Sequence, residues 1–103
     1  MSRYGLFGKI SALPGERDAL LALLLEAANR GAEMPGCEVY IVSTAPDDPD
    51  GIWVMEVWRS EADHAASLQL DAVQALITRA RPLIAGMSDR VTLQPIGGMG
   101  LTS

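Results

Sequence analysis

Residues 52–60, IWVMEVWRS, follow the pattern of a β-strand whose two faces are both apolar. Successive side chains of a strand point to opposite faces of the sheet. One face of this strand carries a set with a lone carboxylate: Ile52, Val54, Glu56 and Trp58. The other face carries only apolar side chains: Trp53, Met55 and Val57. Both faces therefore need a cover, and one of them holds an acid beside an indole.

Three further segments are predicted to be strands, at residues 3–11, 37–44 and 90–97. In the first, one face is predicted to carry Tyr4, Leu6 and Ile10, and the opposite face Phe7 and Lys9. In the second, the alternation predicts one face with Cys37, Val39 and Ile41, and the other with Glu38, Tyr40 and Val42. The acidic turn APDDPDG then joins the second strand to residues 52–60 as a hairpin.

Apolar positions at three- and four-residue spacing predict two helical regions. The first spans residues 16–33 and is ended by Pro35. The second begins with Ser60 as its cap, and its apolar stripe is predicted to comprise Val73, Leu76, Ile77, Ala80, Leu83 and Ile84. Pro82 is expected to kink or end this helix near Arg81, and Gly86 to close the region.

The order of these elements is β-α-β-β-α-β, which predicts an α+β, ferredoxin-like fold with an antiparallel four-stranded sheet. We expect a single domain over residues 1–103, with a core at about 3–97 and a flexible C-terminal tail at 98–103. Both helices would cover one face of the sheet and leave the other bare. Because burying a Trp or Met side chain stabilises by roughly 1.5–3 kcal/mol, a homodimer with two sheets packed face to face is predicted.

Composition narrows the classes of function. The 103 residues are 49% hydrophobic, which is high for a small domain and agrees with an additional buried surface. The net charge is −5 and the eight basic residues are scattered, so no nucleic-acid partner is expected. The single cysteine, Cys37, excludes an internal disulfide and a multi-cysteine metal site. The longest apolar stretch, ALLALLLEAA, is too short to cross a bilayer, so a cytoplasmic protein without a membrane partner is expected.

Two segments, PGCEVYIV and IWVMEVWRSEAD, resemble the core signature of the antibiotic biosynthesis monooxygenase (ABM) family. In that family one strand opens with Pro-Gly-Cys and carries a Tyr, and the next ends in Glu-x-Trp before a helix with a Ser/Asp-rich cap and Glu-Ala. The matching residues are Pro35, Gly36, Cys37, Tyr40, Glu56, Trp58, Ser60, Glu61 and Ala62. The segments ALPGERDALLALL and VQALITRARPLIAG also resemble the family, so the resemblance covers almost the whole chain.

The resemblance implies a dimeric α+β barrel and a monooxygenase that acts on a quinol or polyphenol without metal, flavin or haem. Family members usually carry a histidine in the second helix, about two turns beyond the Trp. Here the aligned positions hold Ser67 and Ala72, or Ala66, and the one histidine, His64, comes earlier. The haem-degrading branch of the family is characterised by an Asn-Trp-His set, with the Asn on the first strand. The first strand of this chain has no asparagine, which disfavours haem degradation.

The predicted catalytic residues are Trp58, His64 and Tyr40. Trp58 would stack on a planar aromatic substrate, Tyr40 would hydrogen-bond a phenolic oxygen, and His64 would take the phenolic proton near neutral pH. The predicted substrate-binding residues are Glu56, Phe7 and Ser67. Four of these residues have a structural alternative. Trp58 could be a packed core indole, Tyr40 an interface tyrosine, His64 a surface histidine, and Glu56 the partner of Arg59, Arg79 or Arg81.

Three functions remain open from the sequence. The first is the cofactor-independent monooxygenase that the resemblance implies. The second is a non-catalytic module that binds an aromatic or lipid-like ligand or serves in dimerisation, which the displaced histidine favours. The third is an isomerase or dehydratase that uses Glu56 or His64 as a base without oxygen.

Overall fold

A single antiparallel sheet carries its helices on one side. The computed structural model describes residues 2–30 and 33–101. In chain order the elements are β1 (Tyr4–Ala12), α1 (Arg17–Asn29), β2 (Cys37–Ser43), β3 (Gly51–Trp58), α2 (Glu61–Ser67), α3 (Asp71–Ala80) and β4 (Ile84–Leu93), with a 3-10 turn at Arg81–Leu83 before β4.

The four strands lie in the order β2-β3-β1-β4, and every neighbouring pair is antiparallel. The hairpin between β2 and β3 is present, and β1 lies between β3 and β4. The predicted α+β, ferredoxin-like fold with a four-stranded antiparallel sheet is therefore confirmed. The dimeric barrel stays a prediction, because the structure is that of one chain.

The core lies between the helices and the face of the sheet that carries Ile52 and Val54. Leu20 of α1 and Ile52 of β3 are completely buried, and Ala12, Val54 and Ala80 complete the central cluster. Leu20 is buried because α1 presents its leucines at helical spacing to this face. The central strand β3 thus supplies the floor of the core, as its apolar pattern predicts.

The opposite face of the sheet, here called the open face, is not covered by any of the residues 2–30 and 33–101. It carries Ile41, Trp53, Met55, Val91 and Leu93 as exposed apolar side chains. Phe7 lies on the same face, opposite Met55 of β3 and Val91 of β4. An exposed apolar surface of this kind marks an interaction site rather than an ordinary protein surface.

A register shift in β2 changes the predicted position of Cys37. The strand pairs Cys37 with Trp58 and Tyr40 with Glu56, and the register shifts between Cys37 and Val39. Cys37 therefore shares the helix-covered face with Tyr40, and the prediction that it shares a face with Val39 and Ile41 is wrong. A β-bulge inserts one residue into a strand and reverses the side on which the preceding residues project.

The predicted extent of the second helical region is partly wrong. The region is interrupted at residues 68–70 between α2 and α3. Its end at Ala80 confirms the predicted end near Arg81, and Pro82, which lacks an N–H to continue an α-helix, lies in the 3-10 turn Arg81–Leu83. Ile84 and Gly86 already belong to β4, where they pair with Ala12 and Ser11 of β1.

The boundaries at the two ends of the chain also differ from the prediction. The last strand is Ile84–Leu93 rather than residues 90–97, and Pro95 lies beyond its end. Helix α1 ends at Asn29. The predicted continuation of this helix over residues 31 and 32, and the last two residues of the predicted tail, lie outside the described residues.

Within the described ranges, 2–30 and 33–101, no helix combines the length and the apolar character that a membrane crossing needs.

We predict that Leu20→Ala lowers the free energy of unfolding by about 2–5 kcal/mol, because it leaves a cavity in the centre of the core. Urea unfolding followed by circular dichroism measures the change. Leu25→Ala is the matched control: Leu25 lies on the same helix but is 42% exposed, so its truncation should cost far less. Equal losses in the two variants would contradict the assigned core.

Candidate active site

The lone carboxylate of β3 is held by the neighbouring indole on the same face of the strand. The Nε1–H of Trp58 donates a hydrogen bond to Oε1 of Glu56 over 3.0 Å. The two residues are separated by one position, so a strand places both side chains on the helix-covered side. The predicted pairing of Glu56 with Arg59 or Arg79 is wrong, since these arginines pair with Asp63 and Glu26 respectively.

The start of α2 aims His64 at this carboxylate. Oγ of Ser60 accepts a hydrogen bond from the backbone N–H of Asp63 over 3.1 Å, which is the predicted N-cap. One helical turn after the cap, His64 faces inward with only 13% of its side chain exposed, and its Nε2 lies 3.9 Å from Oε1 of Glu56. The structural alternative of a surface histidine therefore does not hold.

Two aromatic rings fix the orientation of the imidazole. The rings of His64 and Trp58 meet edge to face, with centroids 5.4 Å apart. The ring of Tyr4 in β1 also lies near His64, with centroids 5.2 Å apart. Since β1 pairs Tyr4 with Trp58, the sheet register places these two rings side by side, and α2 brings His64 to both. His64 can therefore turn little without displacing an aromatic neighbour.

Gly36 joins the site to the strand before it. Its φ is +86°, in the left-handed region that favours glycine, and a Cβ here would fall on the side chain of Asp63. The carbonyl of Gly36 accepts a hydrogen bond from the N–H of Arg59 over 2.8 Å. The Pro-Gly-Cys segment thus packs closely on the first turn of α2, and this contact sets the position of the helix that carries His64.

Two neighbouring cavities open beside these side chains. The larger, here called the main cavity, has a volume of about 380 Å³ between α1, α3 and the sheet. It is bordered by all of the predicted site residues except Phe7, namely Tyr40, Glu56, Trp58, His64 and Ser67. The smaller, here called the side cavity, has about 260 Å³ and shares Tyr40, Glu56, His64 and Leu68 with the main cavity.

The remaining predicted residues contribute unequally. Phe7 contacts the edge of the side cavity, but its strand position assigns it to the open face. Oγ of Ser67 donates to the backbone carbonyl of His64 over 2.6 Å, so this hydroxyl is already engaged. Trp58 is only 1% exposed, which leaves little ring surface for stacking on a ligand. Its contact with Glu56 makes it a positioning residue.

The cavity is a poor environment for charge. Burial raises the pKa of Glu56, while the hydrogen bond from Trp58 and the charges of His64 and Arg90 oppose that rise. Burial and the Glu56 charge also raise the pKa of Tyr40, so its hydroxyl stays protonated and can donate at neutral pH. The same two causes raise the pKa of the Cys37 thiol, which disfavours a thiolate nucleophile.

A metal site of protein ligands is not formed by the described part of the chain: no three His, Cys, Asp or Glu side chains there lie close enough together to hold an ion.

Tyr4 and Arg90 are site residues that the sequence pattern did not single out. Tyr4 could have been found from its predicted face, which it shares with Leu6 and Ile10. Arg90 could not, because the register shift that turns it toward the side cavity has no simple signal in the sequence.

The fold and this arrangement define a ferredoxin-like α+β protein with a buried Glu–Trp–His cluster beside an apolar cavity. A family model described as antibiotic biosynthesis monooxygenase matches residues 3–79. This match covers most of the chain, so the chain belongs to the antibiotic biosynthesis monooxygenase family. No curated protein matches it.

Solved structures agree with this assignment. A protein from Chloroflexus aurantiacus J-10-fl, described as a candidate antibiotic biosynthesis monooxygenase, is 49% identical over 97% of this chain and 99% of its own, with a TM-score of 0.90. A Pseudomonas aeruginosa protein is 18% identical over 94% of this chain and 97% of its own, with a TM-score of 0.82. A protein from Mycobacterium tuberculosis is 17% identical over 94% of this chain and 98% of its own, with a TM-score of 0.80. The latter two show similarity of fold.

We predict that Glu56 makes stability depend on pH. Because the folded state raises the pKa of Glu56, its contribution to stability is present below the ordinary glutamate pKa of 4.5 and is lost as the pH rises through the folded value. Glu56→Gln removes this titration. The stability of the wild type should therefore fall relative to Glu56→Gln as the pH rises from 4.5 toward neutrality.

Urea unfolding at a series of pH values measures this difference. Glu61→Gln is the control, since Glu61 is an exposed acid in the first turn of α2. A difference between the wild type and Glu56→Gln that does not change with pH would show that burial does not perturb Glu56.

Proposed function

We propose that this chain is a cofactor-independent monooxygenase that oxidises a quinol- or polyphenol-type aromatic substrate with dioxygen. The observation that carries the proposal is the buried pair of Glu56 and His64 beside an apolar cavity, with 3.9 Å between carboxylate and imidazole. Membership of the antibiotic biosynthesis monooxygenase family supports the reaction class. The size and apolar lining of the main cavity support a planar aromatic substrate.

The first step is removal of the phenolic proton. Nε2 of His64 takes the proton, and the Glu56 carboxylate stabilises the imidazolium that forms. The Trp58 indole keeps Glu56 in place, and the protonated Tyr40 hydroxyl can donate to the developing phenolate oxygen. Because the cavity is apolar, the phenolate loses much of its hydration, which makes it a better electron donor.

The oxidation itself draws its electrons from the substrate. The phenolate transfers one electron to dioxygen, and the resulting radical and superoxide combine to form a carbon–oxygen bond. His64 returns its proton to the peroxide oxygen. The O–O bond then breaks as the attacked carbon loses its hydrogen, so one oxygen atom remains in a new carbonyl and the other leaves as water. The substrate supplies all four electrons, and no external reductant is needed.

We predict oxygen uptake when the folded protein is given a panel of naphthols and anthrols in the presence of a metal chelator. His64→Ala should lower kcat by about 10²–10⁴-fold, since it removes the general base. The oxygen electrode measures the rate and mass spectrometry the incorporated oxygen. Glu61→Gln is the control, because Glu61 lies on the same helix but does not border either cavity.

The outcomes separate the three candidate functions. No uptake with any substrate, from a folded protein that still binds the aromatic compounds, would favour a binding module. A conversion that proceeds equally well under argon would favour an isomerase or dehydratase. Either result would contradict the monooxygenase proposal.

We further propose that the open face is covered by a second copy of the same face in a homodimer. The exposed side chains that support this proposal include Trp53 on the central strand β3, and Ile41 and Leu93 on the two edge strands. Two identical apolar faces satisfy each other in a symmetric pair, which is the commonest arrangement of soluble oligomers. The homodimer would leave the cavity on the other side of the sheet accessible.

Sedimentation at micromolar concentration should give a dimer for the wild type and a monomer for Trp53→Asp, because a charge in the centre of the interface is costly to bury. Leu25→Asp is the matched control: Leu25 is 42% exposed on α1, compared with 38% for Trp53, and should leave the dimer intact. A monomeric wild type, or a dimer unaffected by Trp53→Asp, would contradict the proposed interface.

A further inference from the structure

An arginine stands at the side cavity without a partner for its charge. Arg90 borders this cavity together with Tyr40, Glu56 and His64. Among residues 2–30 and 33–101, no carboxylate oxygen lies within 4.0 Å of its guanidinium. The other cation at this cavity, Lys9, forms an ion pair with Asp48. Arg90 is therefore the cation there that remains available to a ligand.

The backbone is arranged to bring Arg90 to this place. The pairing of β1 with β4 shifts between Phe7 and Lys9, which are opposite Val91 and Ser88, so β4 has two residues where β1 has one. Asp89 adopts a φ of +53° at this bulge. Bulges commonly redirect a side chain next to a functional site. Here Asp89 borders the depression on the open face, while Arg90 borders the side cavity on the helix-covered face.

A glycine on the neighbouring strand keeps the space beneath Arg90 free. Gly8 also borders the side cavity, and a Cβ at this position would lie only 3.4 Å from the Cα of Arg90. A larger side chain at this position would extend into the side cavity next to Arg90. The side cavity and the main cavity both border Tyr40, Glu56 and His64, so a ligand near these three side chains lies close to both.

We propose that Arg90 forms an anion subsite that selects aromatic substrates carrying a carboxylate. This inference rests on the proposed function, since it places the phenol ring in the main cavity with its hydroxyl near His64. A carboxylate on the distal side of the substrate then extends into the side cavity and meets the guanidinium of Arg90. The planar fork of arginine matches a carboxylate with two parallel hydrogen bonds, which gives the subsite geometric as well as charge selectivity.

Arg90 also has a simpler possible role, as a counter-charge that favours ionised Glu56. The two roles differ in what they do to ligands. A counter-charge for Glu56 would affect a neutral phenol and its carboxylated analogue equally. An anion subsite affects only the analogue, so the ratio of the two dissociation constants distinguishes the roles.

The test compares 2-naphthol with 6-hydroxy-2-naphthoate by isothermal titration calorimetry under argon. The wild type should bind the carboxylate at least about tenfold more tightly, in line with a charge-assisted hydrogen bond. Arg90→Gln should remove this preference and leave the Kd for 2-naphthol within about twofold. Arg90→Lys should retain part of the preference for the carboxylated compound, and high salt should weaken this preference in the wild type.

Arg59→Gln is the matched control, since Arg59 pairs with Asp63 and borders neither cavity. The ratio of the two dissociation constants in Arg59→Gln should equal that in the wild type. Equal binding of the two compounds by the wild type would overturn the anion subsite and leave the aromatic site of the proposed function in place. A parallel loss of both affinities in Arg90→Gln would also overturn it. Binding of neither compound by the wild type would contradict both the subsite and the proposed aromatic site.

Discussion

The hydrogen bond from the Trp58 indole to the Glu56 carboxylate is the interaction on which the site depends. A carboxylate beneath two helices is costly to bury unless a donor satisfies it. The indole supplies one donor, and the imidazole of His64 lies close enough to stabilise the negative charge. The rings of Tyr4 and Trp58 both contact the imidazole. The sheet and α2 therefore position a carboxylate, an imidazole and an indole beside an apolar space before any ligand arrives.

Strand β3 joins this site to the proposed assembly. Its even-numbered residues pack below the helices or border the cavity, whereas Trp53 and Met55 project to the open face. One strand thus shapes the site on one side and the proposed interface on the other. The homodimer and the catalytic proposal are therefore physically linked through a single element.

The sequence predicts the parts of this structure that depend on regular periods. Strand alternation placed Glu56 with Trp58, and the capping serine Ser60 placed the start of the helix that carries His64. Apolar periodicity failed around Leu83 and Ile84, because a short apolar run fits a helix as well as a strand. Strand alternation failed for Cys37, where the register shift in β2 changes which side of the sheet the residue occupies. The inward position of His64 required tertiary contacts with Tyr4 and Trp58 that no local pattern specifies.

The central claim is that Glu56 is a carboxylate confined in a poorly hydrated cavity. Carbon-13 NMR of the Glu56 side-chain carboxyl, recorded across a pH titration of the folded protein, tests it most directly. Assignment by comparison with Glu56→Gln identifies the resonance. The account predicts a pKa above the ordinary glutamate value, and a further rise in Trp58→Phe, where the donor to the carboxylate is gone. An ordinary glutamate pKa in the wild type, unchanged in Trp58→Phe, would contradict it.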